Sequence, residues 1–211
     1  MSIKLVQGVG INDVEYTVHI REYLGVVGGR KKYKTIWQCP YYITWSSMLE
    51  RGYSQKLKSK FPTYKDVTVC EEWHRFSTFK AWMETQDWEG RELDKDILVE
   101  GNKVYSPATC CFVSHRVNSF FLDCKKNRGN CPIGVSYDKY HKRYKSYISI
   151  NKRRKHLGYF NDYIEAANTW LTAKRILLHT LAQEENLPSN VVQGLLNRLD
   201  TIDGEINVDY S

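Results

Sequence analysis

The period of the apolar positions changes along the chain, and each change marks an element. Residues 1–36 hold short strand-like runs broken by Gly8, Gly10, Gly25, Gly28 and Gly29. A helix is expected from Pro40, because proline suits a first helical turn and Trp45, Met48 and Leu49 recur at helical spacing. Gly52 marks its expected end. Residues 53–63 read as a polar loop and Val67–Cys70 as a short strand. Trp73, Phe76, Phe79 and Trp82, three apart, predict a second helix over about 72–85. The next stretch reads strand, loop, strand, helix. Leu93–Leu98 is a strand, Glu100–Lys103 a loop, Tyr105-Ser106-Pro107 a turn and Cys110–Val113 a strand. Ser114 then caps a helix carrying His115, Val117 and Asn118.

The polar, basic, glycine-containing run Asp123–Asn130 reads as a linker and places a domain boundary. Three strands are expected beyond it, at about 133–137, 143–150 and 154–160, with Tyr144, Ile148 and Ile150 on one face of the second. Asn151–Arg154 is a basic turn. Asp162 and Glu165 form a capping pattern, and Ala166, Trp170, Ala173, Leu177 and Leu181 step by three or four. One long amphipathic helix is therefore expected to lie on the small sheet. A short helix at about 188–199 and an acidic tail, a solvated end or a dimer contact, finish the chain. The reading is an α+β chain in three parts: residues 1–122, 123–183 and 184–211.

Charge sharpens this division. The net charge of +7 splits into about +3 for 1–122, +9 for 123–183 and −5 for 184–211. A basic block of that density suits nucleic acid or an anionic membrane. A membrane-surface helix would pair the charge with a long apolar face. Here the charge falls on strands, and no run approaches the roughly 18 apolar residues of a membrane span. The start, Met1-Ser2-Ile3-Lys4-Leu5, does not read as a secretory leader. A reducing cytoplasmic setting is expected, in which the six cysteines stay as thiols.

Face counting turns the basic block into a function. A sheet has two faces, and the long helix covers one. The other face and its turns are left to carry Lys139, Lys142, Arg143, Lys145, Lys152, Arg153, Arg154 and Lys155, with Tyr147 among them. A narrow β-ribbon fits the B-DNA major groove, which is about 12 Å wide. Arginines there fork onto guanine edges, and lysines hold phosphates. Double-stranded DNA is the expected partner.

The same segment resembles a known family. Ile133-Gly134-Val135-Ser136-Tyr137, Arg143-Tyr144-Lys145-Ser146-Tyr147-Ile148, Lys155-His156-Leu157-Gly158-Tyr159-Phe160 and Glu165-Ala166-Ala167 before Trp170 look like the ethylene-response-factor type DNA-binding domain. In phages and mobile elements that domain often follows an HNH module. The resemblance implies a three-stranded antiparallel sheet read into the major groove with a helix packed behind it. Leu157, Gly158, Phe160, Ala166 and Ala167 then serve sheet–helix packing.

The stretch before it resembles an HNH (ββα-metal) nuclease. The residues that carry this are Leu93-Asp94-Lys95-Asp96, Gly101-Asn102-Lys103, Tyr105-Ser106-Pro107, Cys110-Cys111-Phe112-Val113 and Asn118. The wider likeness, from about residue 33, includes Trp37, Cys39-Pro40-Tyr41-Tyr42, Trp45, Arg51 and Val69-Cys70-Glu71-Glu72-Trp73. It looks like phage proteins described as HNH or homing-type endonucleases, which implies the cytoplasm of an infected bacterium. In that pattern Asp94 and Asn118 hold Mg2+ or another divalent cation, and the residue after the aspartate activates water. That residue is histidine in the family and Lys95 here. A lysine with its ordinary pKa of about 10.4 is protonated at neutral pH and accepts no proton. Lys95 would hold a phosphate instead, leaving His115 or His74 as substitute base. The resemblance also implies a structural zinc site from Cys39, Cys70 and Cys110 or Cys111, short of one ligand because Gly52 replaces a common cysteine. Three functions follow: a DNA endonuclease or nickase, a non-cleaving DNA-binding regulator, and a phage counter-defence factor whose basic surface meets a host protein.

Overall fold

The computed structural model describes residues 4–122, 128–150 and 153–208, with the side chains of 207 and 208 excepted. The start Met1-Ser2-Ile3, most of the expected linker, Lys152 and the last three residues lie outside the described residues. The chain is mixed α/β, with several small sheets and a long C-terminal helix. Packing divides it into two units, residues 4–96 with 101–112, and 97–100 with 113–208. Residues 113–122, expected with the N-terminal module, thus pack with the C-terminal one.

In the first unit the glycine-punctuated start becomes one long hairpin, β1 (His19–Val27) and β2 (Arg30–Gln38). Gly28 and Gly29 both have positive φ, 58° and 74°, which a tight two-residue hairpin turn requires. Helix α1 (Pro40–Tyr53) runs one residue past Gly52, because that glycine sits inside the last turn and lets Val69 approach. The expected polar loop after it contains a short helix, α2 (Gln55–Lys60), whose first turn Ser54 caps. Strand β3 (Thr68–Val69) pairs in parallel with β5 (Val104–Tyr105). The second expected helix is split. Glu71–His74 is a 3-10 turn, Arg75 is extended, and α3 spans Phe76–Glu84. Arg75 bridges to Ile11, which interrupts the helix. Trp45, Met48, Leu49, Trp73, Phe76 and Phe79 are all fully buried and form the core. The expected strand Leu93–Leu98 shortens to β4 (Glu92–Asp94), which pairs with β6 (Cys111–Val113).

In the second unit Ser114 caps a four-residue helix, α4 (His115–Asn118), by accepting from the Val117 N–H. Strands β7 (Val135–Asp138), β8 (Arg143–Ile150) and β9 (Arg153–Phe160) form one antiparallel sheet in that order. Asp162 caps α5 (Tyr163–Glu184), which packs on the sheet. Gly134 makes this close. With φ at 79°, it brings the backbone against Trp170 of α5, where a Cβ would meet the indole at 2.0 Å. The buried stripe of α5 is Ala166, Ala167, Trp170, Leu171, Lys174, Leu178 and Leu181, so Ala173 and Leu177 stand beside it rather than in it.

The last helix is longer than expected. α6 spans Ser189–Val208, and Val191, Leu195, Leu199 and Ile206 are buried along it. Its acidic residues are not a solvated tail. Asp200 and Asp203 both pair with Arg175 of α5, at 2.8 and 3.4 Å. Just upstream, Glu184 pairs with Arg116 at 2.8 Å.

Candidate nucleic-acid interface

Strand parity decides which basic residues share a face. In β8, Ser146 and Ile148 are buried, and the Tyr144 ring meets Tyr163 of α5 with centroids 5.8 Å apart. Even-numbered positions therefore face the helix, and Arg143, Lys145, Tyr147 and Ser149 face away from it. Directly paired residues lie on the same side. Asp138 opposite Arg143, Tyr159 opposite Lys145, His156 opposite Tyr147 and Arg154 opposite Ser149 join this uncovered face.

A register shift at Ser146/Tyr147 sets the outcome on β9. Ser146 pairs with Gly158 and Tyr147 with His156, so Leu157 is an extra, bulged residue. The bulge reverses parity for the rest of the strand. Arg154 is thereby turned to the uncovered face, while Arg153 and Lys155, opposite Ile150 and Ile148, fall on the helix side at the exposed edge strand. Lys139 and Lys142 sit in the β7–β8 turn, and Lys142 has a positive φ of 53°. The structure thus gathers Arg143, Lys145, Tyr147 and Arg154, and leaves Arg153 and Lys155 aside.

The face is held by its own contacts. The Arg154 guanidinium lies 4.1 Å from the centre of the Tyr147 ring, a cation–π stack that presents the guanidinium edge outward. Asp138 organises the β7–β8 turn by accepting from the backbone N–H of Tyr140 (3.0 Å) and His141 (3.2 Å). These hydrogen bonds, that from His141 foremost, and the nearby Lys145 hold its carboxyl down at about 2. The same carboxylate accepts from the Tyr159 hydroxyl at 3.3 Å and lies 3.6 Å from the Lys145 ammonium. His141 and His156 flank the Tyr159 ring at 4.9 and 4.7 Å. Asp138, His156 and Tyr159 were not expected on this face. Only the bulge brings His156 there, and no periodicity reveals a bulge.

Compared with protein-family models, curated proteins and solved structures, the chain matches none. Its likeness to HNH and ethylene-response-factor modules therefore rests on the motifs alone.

The HNH-like residues are placed as follows. Asp94 ends β4, and its Oδ1 accepts from the Asp96 N–H at 2.8 Å. Lys95 is buried, and its ammonium donates to the Asn102 carbonyl at 3.0 Å and to Asp96 at 3.2 Å. Asn102 returns the contact through the Lys95 carbonyl, at 2.6 Å, and also binds both the N–H and the C=O of Val104. Lys95 is thus a clasp on the 95–102 loop, and its side chain turns inward rather than toward a phosphate. This clasp also ends the strand early. Asp94 and Lys95 belong to the first unit, and His115 and Asn118, on α4, to the second. His74 accepts or donates with the Tyr53 hydroxyl at 2.8 Å. Burial pushes the thiols of Cys110 and Cys111 up to about 12 and that of Cys70 to about 11. Among the described residues, no three His, Cys, Asp or Glu side chains stand together as metal ligands would.

Lys174 was also unexpected. It is a buried cation on the apolar stripe of α5, donating to the Phe120 carbonyl with its ammonium 4.0 Å from the Phe120 ring centre. The signal was present in the sequence, since Lys174 is four residues after Trp170 on the same helix face.

Proposed function

We propose that this chain is a double-stranded DNA-binding protein that presents the uncovered face of the β7–β8–β9 sheet to the major groove. One observation carries the reading: Arg143, Lys145, Tyr147 and Arg154 share the side of the sheet opposite α5. Arg143 and Arg154 are the base-edge readers, since a guanidinium fork matches the two acceptors of guanine. Lys145 and the turn lysines Lys139 and Lys142 hold phosphates. A-form RNA has a major groove too deep and narrow for such a sheet, so duplex DNA is favoured.

The deciding measurement is fluorescence anisotropy on labelled duplexes over a salt series, with wild type compared with Arg143→Ala/Lys145→Ala/Arg154→Ala. Wild-type affinity is expected to fall steeply with salt through counterion release. The triple variant is expected to bind at least 100-fold more weakly, since each base-reading pair is worth about 1–3 kcal/mol. Equal binding by both proteins, or none by wild type at low salt, overturns the reading. The latter result would favour a protein partner for the basic surface.

Metal-dependent nicking is the second reading. The short strand ending in Asp94, the strand Cys111–Val113 and the capped helix with Asn118 follow one another in the HNH order, which favours it. The inward clasp of Lys95, at the position of the usual base, favours a scaffold instead.

A further inference from the structure

We propose that the β1–β2 hairpin is a second duplex-binding arm, separate from the sheet face and resting on the same DNA-binding reading. Of its 18 strand residues, 15 are exposed. A bare two-stranded ribbon is marginal in water, and this one leaves Ile20, Tyr23, Val26, Val27, Tyr33 and Trp37 in solvent. Such a surface calls for a partner, and the distribution of charge says which kind.

The hairpin carries Arg21, Arg30, Lys31, Lys32 and Lys34 against the single acid Glu22. The register spreads these cations over both faces. Lys34 opposite Glu22, Lys32 opposite Gly25 and Arg30 opposite Val27 lie on one side. Arg21 opposite Thr35 and Lys31 opposite Val26 lie on the other, with the Tyr23–Tyr33 pair, whose rings are 5.5 Å apart. Two shifts in register, between Ile20 and Arg21 and between Tyr23 and Gly25, produce this arrangement.

A protein-docking ribbon would concentrate its apolar side chains on one face. Here each face mixes apolar and cationic groups. Addition of a further strand along β2 is also disfavoured, because lysines on an edge strand block it. A ribbon with cations on both sides suits a groove whose two walls are both phosphate. At about 3.4 Å per residue the nine-residue strands reach about 30 Å, and two strands fit a major groove about 12 Å wide. The basic side chains then meet the two phosphate walls, and the apolar tip at Val26 and Val27 faces the base edges.

The test uses the full-length chain. Arg30→Gln/Lys31→Gln/Lys32→Gln/Lys34→Gln is compared with wild type and with the sheet-face triple variant, by anisotropy on one duplex from low to high salt. All four positions are exposed, so the hairpin variant is expected to keep the wild-type melting temperature. Its affinity is expected to fall 10- to 1,000-fold, with a slope of log K against log[salt] shallower by about 3, at about 0.9 per phosphate lost. The single variant Lys32→Glu, expected to lose at least threefold, serves if the quadruple variant unfolds. An unchanged affinity and slope in the hairpin variant, with the sheet-face variant impaired, overturns the arm and leaves the sheet reading standing. Loss in the hairpin variant with none in the sheet-face variant supports the arm and overturns the sheet reading. No duplex binding by wild type at low salt removes both.

Discussion

Lys174 is held between Trp170, Phe120 and Phe121, and burial pushes its ammonium down from 10.5 to about 8. The Phe120 carbonyl and ring oppose that shift without cancelling it. Between those two pH values the unfolded chain keeps a proton that the folded chain has released. Stability contributed at this site therefore rises as pH goes from about 8 to about 10.5. Chemical denaturation of wild type and Lys174→Met across that range should show the wild type gaining stability relative to the variant. A constant difference between them would mean that the ammonium is better solvated than its burial implies. Lys95 is a buried lysine of another kind. It has a carboxylate and a carbonyl as partners, and its place in the 95–102 loop is structural.

At the scale of elements, long periodic segments were legible and register was not. The helix from Pro40, the capped helix from Asp162 and the three strands of the second unit stand where alternation and capping residues put them. The sequence hid α2, because Gln55-Lys56-Leu57-Lys58-Ser59-Lys60 is polar and carries no apolar period. It also hid the length of α6. Asp200, Asp203 and Gly204 look like the start of a tail, whereas Leu199 and Ile206 continue the buried stripe and Arg175 neutralises the two aspartates. The candidate interface was legible in composition but not in membership. Eight basic residues were visible, and which of them share a face depended on one bulged leucine. Because Leu195 is buried in α6, Leu195→Ala should cost about 3–5 kcal/mol in equilibrium unfolding. A loss below about 1 kcal/mol would mean that α6 is only loosely attached.

For the whole molecule, the charge of +7 is distributed as two separate basic surfaces, the β1–β2 hairpin in one unit and the sheet face in the other. The acidic C-terminal stretch is largely spent on Arg175 and Arg116 within its own unit. It therefore leaves the DNA-facing cations of the sheet unshielded. A nicking assay with Mg2+ on supercoiled plasmid, wild type against Asp94→Ala, decides whether the molecule also cuts. With Lys95 turned inward, no nicking by either protein is expected. Nicking by wild type that Asp94→Ala abolishes would restore the nuclease reading.

The extra residue at Leu157 gives the protein an inexpensive evolutionary lever. Losing that one codon would rotate the start of β9 by half a period, withdrawing Arg154 and presenting Arg153 and Lys155 in its place. A lineage could in this way exchange its base-contacting set in a single step, without altering any contacting residue.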